Sequence, residues 1–119
     1  MSKKFSKQGD KITKGWGYEV IWAKTDSYVA KFLHINPNSR LSLQYHEEKE
    51  ETIYVMSGQL SLQLGENSSA TEVGPGTVIH VQPGRIHRFG ANSQPVVLCE
   101  VSSPQIDDVV RIQDDYDRV

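Results

Sequence analysis

The chain has 119 residues, a formal net charge of −2 and a sequence pI near 6.1, and this length predicts one domain with a core of its own. The near-neutral charge gives no basis for nucleic-acid binding, which normally needs a basic surface. No segment approaches the ~20 apolar residues of a membrane-spanning helix, and a single Cys99 excludes an internal disulfide. We therefore expect a soluble, cytoplasmic protein without nucleic-acid or membrane partners, with Cys99 in its core.

A basic segment precedes the predicted strands. Residues 1–15 are rich in Lys and poor in apolar side chains, which is typical of a mobile arm. Eight short runs rich in Val, Ile, Tyr and Thr follow, separated by turn sequences such as "NPNS", "GPG" and "QPG". We predict strands over residues 17–24, 28–35, 41–46, 52–56, 59–65, 77–82, 86–90 and 96–102. Eight strands with short turns predict an all-β sandwich or closed barrel.

A histidine and a run of acidic residues interrupt this pattern in "LSLQYHEEKEE". His46 ends one predicted strand, Glu51 begins the next, and His87 begins another after a Pro-Gly turn. First-row metals bind imidazole and carboxylate ligands that rigid elements bring together. The run is either a solvated turn or part of a metal site, and we favour a site of His46, Glu51 and His87. Gln44 lies two residues before His46, on the same strand face, and offers a neutral oxygen ligand.

The remaining members of the acidic run, and the two other histidines, have simpler interpretations. We expect Glu47, Glu48 and Glu50 to lie in a solvated turn. His34 and His80 have no partner in either motif, so we expect them on a solvent-facing side of their strands.

The segments "QYHEEKEETIYVMSG" and "GTVIHVQPGRIH" resemble the two motifs of the cupin superfamily. "RLSLQYH", "PGRIHR" and the tail "DDVVRIQDDYDR" are similar to the cupin domain of type II phosphomannose isomerases and mannose-1-phosphate guanylyltransferases. This resemblance implies a single-domain cupin, a double-stranded β-helix or jelly-roll barrel over residues 16–106, with residues 107–119 as an acidic segment packing on the barrel. It also implies a homodimer.

The resemblance further implies one divalent metal ion held by Gln44, His46, Glu51 and His87. Zinc is the first candidate, with Mn, Fe, Ni and Co as alternatives. The implied reaction is aldose–ketose isomerisation of a sugar phosphate, as in mannose-6-phosphate isomerase. Five further residues are candidates for the site: Lys31 and Arg88 as catalytic groups, and Arg40, Ser42 and Arg85 for substrate binding.

Two other functions stay open. Two histidines and a carboxylate also form the ligand set of Fe(II)-dependent dioxygenases. A non-catalytic cupin that binds a sugar or a metal is the third possibility. It is favoured because Glu47 and Glu48 replace a basic cluster of the resembled family, where phosphate recognition would need Arg or Lys, and because no base can be identified from the sequence.

Overall fold

A computed structural model describes residues 6–105 and 107–119, and this part of the chain is built from β-strands and turns without a helix. The strands are β1 (Asp10–Lys14), β2 (Gly17–Lys24), β3 (Val29–Ile35), β4 (Ser39–Arg40), β5 (Leu43–His46), β6 (Glu51–Ser57), β7 (Leu60–Leu64), β8 (Thr71–Val73), β9 (Val78–Val81), β10 (His87–Ala91), β11 (Val96–Ser102) and β12 (Val109–Gln113). The predicted all-β fold is therefore confirmed.

The strands form two antiparallel sheets. The first sheet has the order β1-β2-β3-β11-β6-β9, and the second has the order β12-β5-β10-β7-β8, with β4 also pairing with β10. Neighbours in each sheet are mostly distant in sequence, as when β11 inserts between β3 and β6. This arrangement matches the jelly-roll barrel implied by the resemblance.

The core lies between the sheets because successive residues of a strand point to opposite faces. Its buried apolar side chains are Trp16, Leu33, Ile35, Ile53, Val55, Leu60, Leu62, Ile79, Val81, Phe89, Ala91, Val96 and Leu98. Burying such side chains contributes roughly 1.5–3 kcal/mol each. They come from both sheets, so the core holds the two layers together.

The inward-facing side chains change from apolar to charged along several strands. In β11, Val96 and Leu98 are buried in the core, and the next inward residue is the buried Glu100. In β6, the buried Ile53 is likewise preceded by the buried Glu51. In β10 the buried Phe89 is preceded by the buried His87, and in β3 the buried Leu33 is preceded by Lys31. One end of the barrel interior is therefore apolar and the other carries charged and polar groups.

The structure adds four strands to the eight predicted ones, namely β1, β4, β8 and β12. β1 pairs with β2 from Asp10↔Ile21 to Lys14↔Gly17, so the expectation of a mobile arm is wrong for residues 10–14. Residues 1–5 lie outside the described residues. β12 pairs with β5, which brings the C-terminal segment onto the second sheet. The domain boundaries at residues 15 and 106 stay predictions.

No helix in the described part of the chain could cross a membrane.

Candidate metal centre

Three of the predicted ligands meet at the polar end of the barrel. His46 is the last residue of β5, Glu51 the first of β6 and His87 the first of β10. Nε2 of His87 lies 3.2 Å from Oε1 of Glu51, and Nε2 of His46 lies 3.8 Å from the same oxygen. All three side chains are at most 5% exposed. The cluster is able to hold a metal ion, since one ligand atom from each residue lies within 4.8 Å of the others.

Gln44 lies beside this cluster because its residue pairs with His87 across β5 and β10. Its Nε2 is 3.4 Å from Nε2 of His46, and its Oε1 accepts a hydrogen bond of 2.6 Å from the Ser42 hydroxyl. The two ends of an amide can be exchanged without moving other atoms, and the exchange would turn Oε1 toward the histidines. Ser42 is buried and contacts Gln44. The role of Ser42 in substrate binding stays a prediction, and in the structure its hydroxyl supports the Gln44 side chain.

The buried histidine nitrogens test whether a metal would fit. Nδ1 of His87 is 2.8 Å from the carbonyl oxygen of Arg85, so the ring donates there and its Nε2 carries a lone pair. That Nε2 is buried without a hydrogen-bond partner in the described part of the chain and faces the Glu51 carboxylate. A lone pair facing an anion in a buried site is unfavourable unless a cation lies between them. The donor set of two imidazoles and a carboxylate suits zinc and other first-row divalent ions.

The local electrostatics keep these donors in the forms that bind metal. Burial lowers the pKa of His46 to about 4, so its imidazole is neutral at pH 7. Burial disfavours ionisation of Glu51, but the positive charge of Lys49 holds the pKa of this carboxyl below its usual range. Metal ligands must be deprotonated, and both residues meet this condition near neutral pH.

The lowered pKa of His46 predicts a pH dependence of stability for the metal-free protein. The unfolded chain binds a proton at His46 below about pH 6.5, whereas the folded protein resists protonation down to about pH 4. The contribution of neutral, buried His46 to the free energy of unfolding is therefore complete above pH 6.5 and is lost as the pH falls toward 4. Urea unfolding of wild type and His46→Ala between pH 4 and 7.5 measures it. The free energy of unfolding should change less with pH in the variant than in wild type. Equal slopes would contradict the lowered pKa of His46.

A chain of buried charges that the sequence motifs did not predict lies next to the cluster. Nζ of Lys49 lies 3.2 Å from Oε2 of Glu51 and 3.0 Å from Oε2 of Glu100. Lys31 continues the chain, with its Nζ 3.8 Å from Glu100 and 3.1 Å from Glu19. Lys49 is only 4% exposed, unlike the other members of the solvated run. The missed signal is strand alternation, because Glu19, Lys31 and Glu100 share the inward face with core residues of their strands.

A cavity of about 250 Å³ opens between the sheets at this end of the barrel. Eleven charged or polar residues line it: Lys14, Glu19, Lys31, Gln44, His46, Lys49, Glu51, Glu100, Asp107, Arg111 and Arg118. Its volume is close to the lower end of the ~300–1,000 Å³ typical of small-molecule sites. Lys31 does line the cavity, as its predicted role requires.

Three predicted arginines lie elsewhere. Arg88 follows His87 in β10 and therefore points to the opposite face of the sheet, where its Nε donates to the Leu41 carbonyl at 2.8 Å. Arg40 donates to Asp115 at 2.7 and 3.0 Å. Arg85 is exposed in the turn before β10. None of the three lines this cavity in the described part of the chain, and their catalytic and substrate-binding roles stay predictions.

The comparison with protein families agrees with the fold. Residues 31–102 match the Cupin_2 family of cupin domains. The chain belongs to the cupin family. The matched range contains every residue of the metal cluster, and it covers more than half of this cupin.

A curated relative and many solved structures are similar to this cupin. The relative is the xanthan biosynthesis protein XanB of Xanthomonas campestris pv. campestris, 30% identical over 112 residues that cover 91% of this chain and 24% of that protein. This cupin therefore spans about a quarter of the relative's length. KdgF from Halomonas sp. has a TM-score of 0.73 at 19% identity, with coverage of 83% of this chain and 89% of KdgF.

The capsular polysaccharide assembling protein CapF from Staphylococcus aureus has a TM-score of 0.79 at 17% identity, with coverage of 95% of this chain and 36% of CapF. At these identities the two structures establish the shared fold.

Proposed function

We propose that this cupin is a metal-dependent enzyme that isomerises a sugar phosphate, as a mannose-6-phosphate isomerase does. The observation that carries the proposal is the His46, Glu51 and His87 cluster beside a cavity that also carries lysines, arginines and carboxylates. The similarity of "RLSLQYH" and of the C-terminal tail to phosphomannose isomerases supports the substrate class. The 30% identity to a protein of xanthan biosynthesis is consistent with sugar chemistry.

In this proposal His46, Glu51 and His87 hold a divalent ion, zinc first, with Gln44 as fourth ligand. A bound ion supplies Lewis acidity toward the carbonyl and hydroxyl oxygens of the open-chain sugar. The chain itself must take a proton from one carbon of the substrate and return it to the next. We assign this transfer to Glu100, which lines the cavity.

The substrate's phosphate needs a cation in the cavity. Lys14, Lys31 and Lys49 each lie within 4 Å of a carboxylate, and Arg118 binds Asp114 at 2.8 Å. Arg111 lines the cavity, and its Nε is buried without a hydrogen-bond partner in the described ranges. We therefore assign phosphate binding to Arg111, which lines the cavity, and not to Arg40, Arg85 or Arg88, which lie outside it.

The test is conversion of mannose 6-phosphate to fructose 6-phosphate by zinc-loaded protein. Wild type is expected to turn over, and Glu100→Gln to lose about 10²–10⁴-fold in kcat because a positioned proton-transfer group contributes that much. Metal content of the variant should stay near one ion per chain. Glu50→Gln is the matched control, because Glu50 is exposed and pairs with His80 outside the cavity. Wild-type activity in Glu100→Gln would refute the assignment.

A non-catalytic sugar- or metal-binding cupin is the second candidate. Glu19, Glu51 and Glu100 each lie within 4 Å of a lysine ammonium group, which weakens each of them as a base. This candidate predicts that sugar phosphate binds to the metal-loaded protein without turnover. Oxygen consumption with Fe(II) would instead support the dioxygenase alternative.

We also propose a homodimer formed through the outer face of the first sheet. Phe32, Cys99, Tyr54 and Val78 form one row across four neighbouring strands, so Cys99 lies on this face and the expectation that it is a core residue is wrong. The half-exposed apolar side chains on or beside the face are Trp22, Tyr28, Tyr54, Met56, Val78 and Val101. At ~200 Å² for a large side chain, they offer on the order of 600 Å², close to the ~800 Å² per partner of a stable interface.

Replacing Tyr54 by lysine should convert the dimer to a monomer, because it buries a charge at the centre of the apolar row. Light scattering after gel filtration measures the mass. Val119→Lys is the control, since Val119 is exposed beyond the second sheet. A wild-type mass equal to one chain would refute the dimer, and a dimeric Tyr54→Lys would refute this interface.

A further inference from the structure

Asp108 lies on the opposite side of the His46 ring from Glu51. Its Oδ1 is 3.3 Å from Nδ1 of His46, whereas Nε2 of the same ring faces Glu51. Both Oδ1 of Asp108 and Nδ1 of His46 are buried, and neither has a hydrogen-bond partner among the described residues. Each is thus the available partner of the other, and a proton between them would satisfy both.

The other oxygen of Asp108 fixes the carboxylate in place. Oδ2 accepts hydrogen bonds from the backbone N–H groups of Glu48 and Lys49 at 2.7 and 2.9 Å. An ionised carboxylate accepts hydrogen bonds and donates none, so Nδ1 of His46 must supply the proton. In a neutral imidazole this leaves a lone pair on Nε2, the atom that faces the metal cluster.

The two histidines differ in what holds their Nδ1 atoms. For His87 the acceptor is the backbone carbonyl of Arg85, at 2.8 Å, which no side-chain substitution removes. For His46 it is a side chain that follows β11 and precedes β12. Second partners of this kind orient metal-binding histidines and fix their tautomers. The backbone therefore fixes the tautomer of His87, whereas a side chain that can be substituted fixes the tautomer of His46.

We propose that Asp108 is a positioning residue for the metal centre, which keeps His46 protonated on Nδ1 and so leaves Nε2 free to bind the ion. The inference rests on the proposed metal-binding role of His46. It makes metal affinity depend on the C-terminal segment, which contributes no metal ligand in the proposed set.

The test replaces Asp108 by asparagine. The amide oxygen of Asn still accepts from the two backbone N–H groups, while its NH₂ group faces Nδ1 of His46 and donates to it. The proton of His46 must then move to Nε2. Long-range ¹H–¹⁵N NMR of the metal-free protein at pH 7.5 should show His46 protonated on Nδ1 in wild type and on Nε2 in Asp108→Asn, with His87 unchanged. Signals absent from His46→Ala identify the residue.

Zinc affinity, measured by competition with a chelator, should fall about 10–100-fold in Asp108→Asn. Asp26→Asn is the matched control, because it removes the same charge from an exposed side chain that does not line the cavity. It should keep the wild-type tautomer and affinity.

Wild-type His46 protonated on Nε2 would overturn the proposal, and this measurement needs no variant to fold. Unchanged tautomer and affinity in Asp108→Asn would overturn it equally. Failure of the wild type to bind zinc would instead refute the proposed function, and the NMR result on metal-free protein would be unaffected.

Discussion

Replacing His87 by alanine is expected to abolish stoichiometric metal binding. Wild type should take up one divalent ion per chain, whereas His87→Ala should bind about 10²–10³-fold more weakly, because the 10–16 kcal/mol of a four-ligand zinc site is shared among its ligands. The substitution removes the Nε2 atom of His87, which lies 3.2 Å from Oε1 of Glu51. Elemental analysis of purified protein and titration with zinc measure stoichiometry and affinity, and His46→Ala should behave in the same way.

The control for this experiment is His80→Ala. His80 lies in β9 of the same barrel, but its side chain is exposed and pairs with Glu50. Removing it should leave zinc binding unchanged. Thermal melting of each variant establishes that the fold is intact. A His87→Ala protein that is folded and still holds one tightly bound ion would show that the metal lies elsewhere.

Replacing Lys49 by methionine is expected to destabilise the protein by about 3–5 kcal/mol, the usual cost of leaving a buried charge without its partner. Burial opposes the charge of Lys49, but Glu100 and Glu51 hold the pKa of its ammonium above the ordinary value. Methionine fills a similar volume without the charge, so both carboxylates lose their nearest cation. Urea unfolding of the metal-free protein measures the change, and the melting temperature should fall by about 10–20 °C.

Two further variants separate charge from packing at this position. Lys24→Met removes an exposed lysine at the end of β2 and should change stability by no more than ~0.5 kcal/mol. Lys49→Met combined with Glu100→Gln should be more stable than Lys49→Met alone, since one of the uncompensated carboxylates is gone. If Lys49→Met unfolds at the same urea concentration as wild type, the buried ion pairs of Lys49 make no net contribution to the free energy of unfolding.

Local sequence patterns predicted the strands that alternate clearly and are bounded by turn residues. They missed β1, because the basic composition of residues 10–14 hides a strand whose side chains stay largely exposed. They also missed β12, which is held by pairing with β5 more than sixty residues earlier. Pairing between remote segments stabilises such strands, and no local pattern reports it.

The same distinction between local patterns and remote contacts explains which residues of the site could be predicted. His46, Glu51 and His87 were found because their spacing follows a known motif, and their convergence followed from the strand ends that carry them. The catalytic role predicted for Arg88 stays untested, but strand alternation alone already places its side chain on the sheet face opposite His87. Lys49 could not be found, since its burial depends on Glu100 from a strand about fifty residues later, and four acidic neighbours make it look solvated.

The pairing of β12 with β5 also bears on the order of events during folding. Val109 of β12 lies opposite His46, so the strand that carries two of the proposed ligands gains its second neighbour only after the chain has been made through Gln113. Contacts this far apart in sequence form late and slowly, because a long loop must close first. The pairing of β3 with β11 spans a similar separation in sequence, so we expect the metal centre to become rigid together with the middle of the first sheet. Stopped-flow refolding should then show zinc capture only in the phase that completes strand pairing.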